Sequence, residues 1–328
     1  MKFFYCQSYQ AFNLALALSM KDKVTIITAA ENIIKACRFL KVDVIEHKPF
    51  GLKDFRQENR YVNDEIERLN RIIDQDEFHF SHTQFALFCF CLAKKINDRR
   101  GRTIFHSFEL VYKKQNVRIT DLLSKQYWYI KIYKDYLKIK YNLPVEIRRS
   151  SSNAYVISLK LEYVQKRSFR IVEDKTSYFE TTNLMFKNFK FDYPSINHIF
   201  VAQTFDAPDL FDEARITRVL PLIDQSHISL KNHPKLGAVK GLENCKTLPD
   251  YLPVELFFQK VKGSVISFHS ASLVTASKFE NVDAISIIEL VRTNDPFIDT
   301  VMRYLKDKSD GRIRFVSELD ELKNVINV

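Results

Sequence analysis

Residues 3–47, FFYCQSYQAFNLALALSMKDKVTIITAAENIIKACRFLKVDVIEH, alternate between two kinds of segment. Residues 3–6, 24–28 and 42–47 are short runs of apolar and β-branched side chains. Between them, residues 9–19 and the stretch AAENIIKACRFL read as helices. Brief apolar strands separated by helices are the pattern of parallel strands buried on both faces and joined by crossover helices. A long polar helix over about 55–75, a strand at EFHFS and a helix around 84–95 continue it. The first part of the chain therefore reads as a doubly wound α/β sheet.

A second alternation begins after DYPS at 192–195, the best linker candidate. Strands are expected at HIFVAQ (198–203), HISLK (227–231), SVISF (264–268), AISIIEL (284–290) and IRFVS (313–317). Helices are expected over about 253–261, from SASLVTASK, over DPFIDTVMRYLK, and in a last segment ending near 326. A chain of 328 residues suits two domains of roughly 150 residues each. The expected division is 1–192 and 193–328, two Rossmann-like halves with no sequence repeat between them.

Composition narrows the chemistry. Apolar residues make up 46% of the chain, enough for two cores and too many for disorder. Only six glycines are present, and neither GxGxxG nor GxxxxGK[ST] occurs, so a phosphate must be met by hydroxyls, basic side chains and helix starts. The excess of ten positive charges points to acidic partners: nucleotide phosphates, nucleic acid or an anionic membrane face. Cys6, Cys37, Cys89, Cys91 and Cys245 are scattered, without CxxC, and read as reduced thiols rather than disulfides or a zinc site. The opening residues resemble a signal peptide, but Gln7, Ser8, Gln10 and Asn13 interrupt the apolar run, which reads as strand then helix. No apolar stretch is long enough to span a bilayer. Residues 122–141, LLSKQYWYIKIYKDYLKIKY, put Tyr127, Lys131, Lys134 and Lys138 on one helical face. That is either a packed helix with a solvated lysine face or a basic helix resting on anionic lipid or polysaccharide.

The second half holds three features in order. KNHPKLG follows a strand end, LPVELFF opens a helix, and SFHSAS joins a strand to a helix start. Loops after parallel strands open on one rim, so His233, the turn before Pro253 and the hydroxyls of Ser267, Ser270 and Ser272 should converge. An imidazole and several hydroxyls at a helix start suit a phosphate or carboxylate, with His233 stabilising the oxygen that gains charge. Taken singly each feature has an ordinary structural reading: a turn, a serine cap, or a glutamate complementing a helix dipole.

In this order the motifs resemble bacterial sialyltransferases of the GT-B type, namely glycosyltransferase family 52 and the polysialyltransferases. The likeness covers most of the chain in layout, while the specific motifs lie within about 199–277. It implies two Rossmann-like domains facing across a cleft, with the acceptor on the amino-terminal side. It also implies transfer of sialic acid from CMP-sialic acid to a lipooligosaccharide or capsule hydroxyl, with inversion and without metal or cofactor. The family's CMP contacts carry over to His233 with Pro234, and to Ser267, Ser270 and Ser272; Lys231, Gly237 and Glu255 are expected in the same donor site. The family's acidic pair followed by glycine is missing, and the nearest match is Glu173-Asp174 followed by Lys175. Asp206 and Asp209, after the strand HIFVAQ, are the favoured general bases and remain unseparated; Glu173 and Asp174 are the alternative. A cytoplasmic protein, peripheral on the inner membrane face, is what the resemblance implies.

Two rivals stand beside it. Teichoic-acid-type CDP-polyol phosphotransferases share the His-Pro element and serine turns, and His269 fits them although their aspartate is missing. A non-catalytic polyanion-binding protein would explain the charge, but no nucleic-acid module is present and nucleic acid is not the expected partner.

Overall fold

The computed structural model describes residues 1–48, 60–81, 86–107, 110–113, 145–151, 154–159, 169–173, 186, 189–203, 211–233 and 239–326. Contacts divide the chain into two compact units, Met1–Tyr178 and Phe179–Val328. The linker candidate at 192–195 lies inside the second unit, where Tyr193 stacks on Phe191 (5.6 Å between centroids) and meets Phe257 edge-on at 4.9 Å.

In the first unit the described strands are β1 (Lys2–Tyr5), β2 (Val24–Thr28), β3 (Asp43–Glu46), β4 (Glu77–Ser81) and β5 (Arg102–Ser107). Next, β6 (Leu110–Lys113), β7 (Val145–Ser151) and β8 (Ala154–Leu159) form a separate antiparallel sheet in the order β6-β8-β7. Strand β9 (Phe169–Glu173) then returns to the main sheet, whose order is β3-β2-β1-β4-β5-β9, parallel throughout. Helices α1 (Tyr9–Ser19), α2 (Glu31–Leu40), α3 (Arg60–Ile73) and α4 (Ala86–Asp98) serve the crossovers. Ser8 stops β1's polar turn from fraying into α1: its hydroxyl accepts from the Ala11 N–H at 3.3 Å. Alternation along the strands sorts the aromatics. Phe3, Tyr5, Phe78, Phe80 and Phe105 share one core with Val62, Ile66 and Leu69 of α3 and Phe88 and Leu92 of α4.

The second unit repeats the plan. Strands β10 (His198–Val201), β11 (Ile228–Lys231), β12 (Lys246–Thr247), β13 (Ser264–Ser267), β14 (Asp283–Ser286) and β15 (Arg314–Phe315) make a parallel sheet in the order β12-β11-β10-β13-β14-β15. Among its helices are α5 (Glu213–Val219), α6 (Ala271–Ala276), α7 (Ile288–Val291), α8 (Phe297–Lys308) and α9 (Leu319–Ile326). Both sheets place their strands third-second-first-fourth-fifth-sixth, and the expected pair of doubly wound α/β units is what the chain forms.

Two expected elements differ. The helix over 253–261 is a 3₁₀ helix, Val254–Lys260, with Leu256 N–H bonded to Pro253 O. Val254, Leu256, Phe257 and Phe258 are all buried, so its apolar side chains do not keep to a 3.6-residue stripe. The strand at 284–290 stops at Ser286, and α7 takes up the remainder. The Ser286 hydroxyl donates to Phe268 O and stands 3.5 Å from Ile288 N, replacing ladder bonds with a side-chain turn. The lysine-bearing segment 122–141 lies outside the described residues. Among the described residues no helix is long and apolar enough to cross a membrane.

Candidate functional site

In doubly wound sheets, ligands sit outside the carboxyl ends of the strands where the chain order reverses. In the second unit that point lies between β10 and β13. Beyond β10 come Ala202 and Gln203, beyond β13 come Phe268, His269 and Ser270, and beyond β11, on the other side of β10, come Asn232 and His233. All three strands are parallel, so the imidazole-bearing turn and the hydroxyl-lined turn open on one rim. One strand separates them, a spacing of about 10 Å at two inter-strand steps.

Gln203 ties β10 to the serine turn: its Oε1 accepts from the His269 N–H at 2.6 Å and from Ser267 Oγ at 3.3 Å. Ser267 is fully buried and its hydroxyl also donates to Val201 O at 2.7 Å, so it fastens β13 to β10. Ser270 is the N-cap of α6, its Oγ accepting from Ser272 N at 3.2 Å. Ser272 Oγ in turn donates to Glu255 Oε1 at 3.1 Å, which joins the 3₁₀ helix to the serine turn. Ser270, Ser272 and Glu255 are all half-buried. His269 stacks on Phe211 at 5.1 Å between centroids; burial pushes its imidazole down to about 4, leaving it neutral at pH 7, and its Nδ1 is enclosed without a hydrogen-bond partner.

Lys231 ends β11 and is 4% exposed. Its Nζ donates to Asp250 O at 2.9 Å and to Asn232 O at 3.3 Å. Burial pushes the ammonium down to about 8, opposed by the carboxylates of Asp250 and Glu255. The sequence reading places Lys231 in the donor site; its nitrogen donates to two backbone carbonyls there. Asn232 is half-buried, with its Oδ1 enclosed and without a partner.

The structure thus brings His233, Glu255, Ser267, Ser270, Ser272 and Lys231 to one edge of one sheet. Gln203 was not singled out from the sequence, although as the last residue of HIFVAQ it stands where a strand meets the rim. Asp206, Asp209, Pro234, Gly237 and Asp174 lie outside the described residues. Glu173 ends β9, opposite Ser107 of β5, at the carboxyl rim of the first unit's sheet. Asp212 caps α5, accepting from Arg215 N at 3.1 Å. Among the described residues no group of three His, Cys, Asp or Glu side chains is placed to hold a metal ion.

No family model matches the sequence, and no curated protein matches it. Solved structures similar to it include the glycotransferase of kitacinnamycin, at 9% identity over 99% of this chain and 89% of that one, TM-score 0.43. The spinosyn forosaminyltransferase SpnP is 10% identical over 99% and 88%, TM-score 0.46. The E. coli heptosyltransferase WaaC with ADP-2-deoxy-2-fluoro heptose is 12% identical over 100% and 98%, TM-score 0.41.

Proposed function

We propose that this chain is a glycosyltransferase whose second unit grips the nucleotide of an activated sugar, with CMP-sialic acid as the donor. The observation that supports this best is the shared rim: His233 and the Ser270–Ser272 turn flank the reversal between β10 and β13. The donor phosphate and the sugar carboxylate lie against that turn, with His233 donating to the phosphate oxygen that gains charge as CMP leaves. An acceptor hydroxyl of a surface glycan attacks the anomeric carbon from the opposite face in a single displacement, which inverts configuration. Its proton passes to a carboxylate, Asp206 or Asp209, with Glu173 or Asp174 as the alternative. CMP is a stable leaving group once its phosphate is held, so the protein's task is positioning and charge stabilisation.

Thermal unfolding with CMP, CDP and UDP tests the reading. A nucleotide at a hundred times its dissociation constant stabilises by about 2.7 kcal/mol. CMP should raise the midpoint and UDP should not; no response to any of the three removes the nucleotide site. Incubation with CMP-sialic acid against CDP-glycerol, scored by released CMP, separates sialyl transfer from polyol-phosphate transfer.

A further inference from the structure

A parallel strand buried along its whole length ordinarily ends on an apolar residue, and β11 is buried from Ile228 to Lys231. Placing an ammonium there is costly unless its donors are met. They are met by main-chain groups that belong to different parts of the rim: Asn232 O, directly before His233, and Asp250 O, in the turn leading to the 3₁₀ helix. The charges facing Lys231 are those of Asp250 and Glu255, and Glu255 holds Ser272 at 3.1 Å. One nitrogen therefore touches the His233 turn and the turn before the 3₁₀ helix and faces Glu255, which carries the link on to the serine turn.

We propose that Lys231 is the positioning residue of this rim: by bonding the carbonyls of Asn232 and Asp250 beside Glu255, it locks the His233 turn and the Glu255–Ser272 pair in a single arrangement. It acts through these groups and does not touch the ligand itself. The consequence for nucleotide binding rests on the function proposed above; the consequence for the two turns does not. A compact point charge on a flexible stem suits the task, because its three donors adapt to carbonyls that converge from different directions.

Lys231→Met keeps most of the volume and removes the donors. Hydrogen–deuterium exchange on the ligand-free protein should quicken at least tenfold in peptides covering His233 and in those covering 249–256, while peptides covering 284–286 of β14 hold their rate. Unchanged exchange in both turns overturns the proposal, since that is what a residue valued only for its volume gives. Should Lys231→Met fail to fold, the wild-type protein decides. Protection of both turns, corrected for intrinsic exchange, should fall together as pH rises through about 8, where the ammonium gives up its proton. Glu255→Gln, which removes a charge that favours the ammonium, should move that midpoint to lower pH. A flat profile overturns the proposal equally. The CMP dissociation constant should rise at least tenfold in Lys231→Met; wild-type protein that binds no CMP refutes the nucleotide reading alone and leaves the exchange result to judge Lys231.

Discussion

Ser272 Oγ donates to Glu255 Oε1 at 3.1 Å, across a gap of seventeen positions in sequence. The bond joins a 3₁₀ helix to the turn that opens α6, and it is the contact that turns two separate motifs into one surface. Hydrogen bonds to charged groups contribute about 1.5–3 kcal/mol when well buried. Both partners here are half-buried, so Ser272→Ala should cost about 1 kcal/mol in urea denaturation. Glu255→Gln, which retains an acceptor oxygen, should cost less than Ser272→Ala. Equal losses would mean that the carboxylate's charge contributes as much at this junction as the bond itself.

His233 lies just past the end of β11, half-buried on the rim. If it meets the departing phosphate, its removal should act on the transition state and not on the fold. His233→Ala should lower transfer about a hundredfold, the effect of losing one donor to developing charge of about 3 kcal/mol. The far-ultraviolet circular dichroism spectrum and the melting midpoint should stay close to wild type. Transfer at near-normal rate by the folded variant takes the imidazole out of the mechanism.

At the opposite edge of the same sheet, Gly263 is required by close approach. A Cβ there would stand 2.6 Å from His198 Cε1 and 2.9 Å from His198 Nδ1, and Nδ1 accepts the Ser264 N–H at 3.1 Å. The ring cannot retreat without giving up that bond. Gly263→Ala should therefore destabilise by about 1–3 kcal/mol, the usual range for overpacking. In a His198→Ala background the same change should cost much less, a coupling that a double-mutant cycle reads directly. Additive costs would place the strain elsewhere.

The parts of this fold legible in the sequence are those in which one residue pattern dictates one structure. Residues 9–19 gave a helix with those bounds and Val24–Thr28 a strand, because a capped apolar helix and a β-branched run have few alternatives. Strand β9 was illegible: FRIVE sits among charged residues, and its pairing with β5 depends on a partner sixty-six positions away, Phe169 with Thr103. Strand β7 was missed for a related reason, since Arg148 and Arg149 interrupt its apolar run. At the site, sequence order located the three turns, because parallel topology sends every strand end to the same rim. It did not reveal which side chains are spent on structure. Ser267 looks like Ser270 in sequence, yet its hydroxyl is buried against Val201 O, and that follows only from the β10–β13 pairing.

The first unit carries a buried histidine pair whose cost should appear in acid. His79 Nε2 donates to Glu77 Oε1 at 2.6 Å, which leaves His79 Nδ1 to accept from His106 Nε2 at 3.0 Å. Burial keeps both imidazoles neutral, and Phe4 stacks on each, at 5.0 and 5.2 Å. Burial pushes both down to about 3; nearby Lys2 and Arg102 add to the effect at His79, and His79 itself adds to it at His106. An unfolded histidine titrates near 6.5. The unfolded chain therefore binds protons that the folded one refuses once pH falls below about 6.5, and stability falls with it. Above that value the contribution is complete; below it, each histidine should cost about 1.4 kcal/mol per pH unit until it approaches its folded value. Urea denaturation from pH 7.5 to 4.5 should give a plateau followed by a steep decline. His79→Leu/His106→Leu should be shallower over the lower range whatever its stability at neutral pH. Some slope should persist, because His47, His198 and His269 are also held low by burial. An unchanged slope in the double variant would mean that the pair is already protonated at the start of the decline, and that the Glu77–His79 contact is an ion pair and not a bond from a neutral ring.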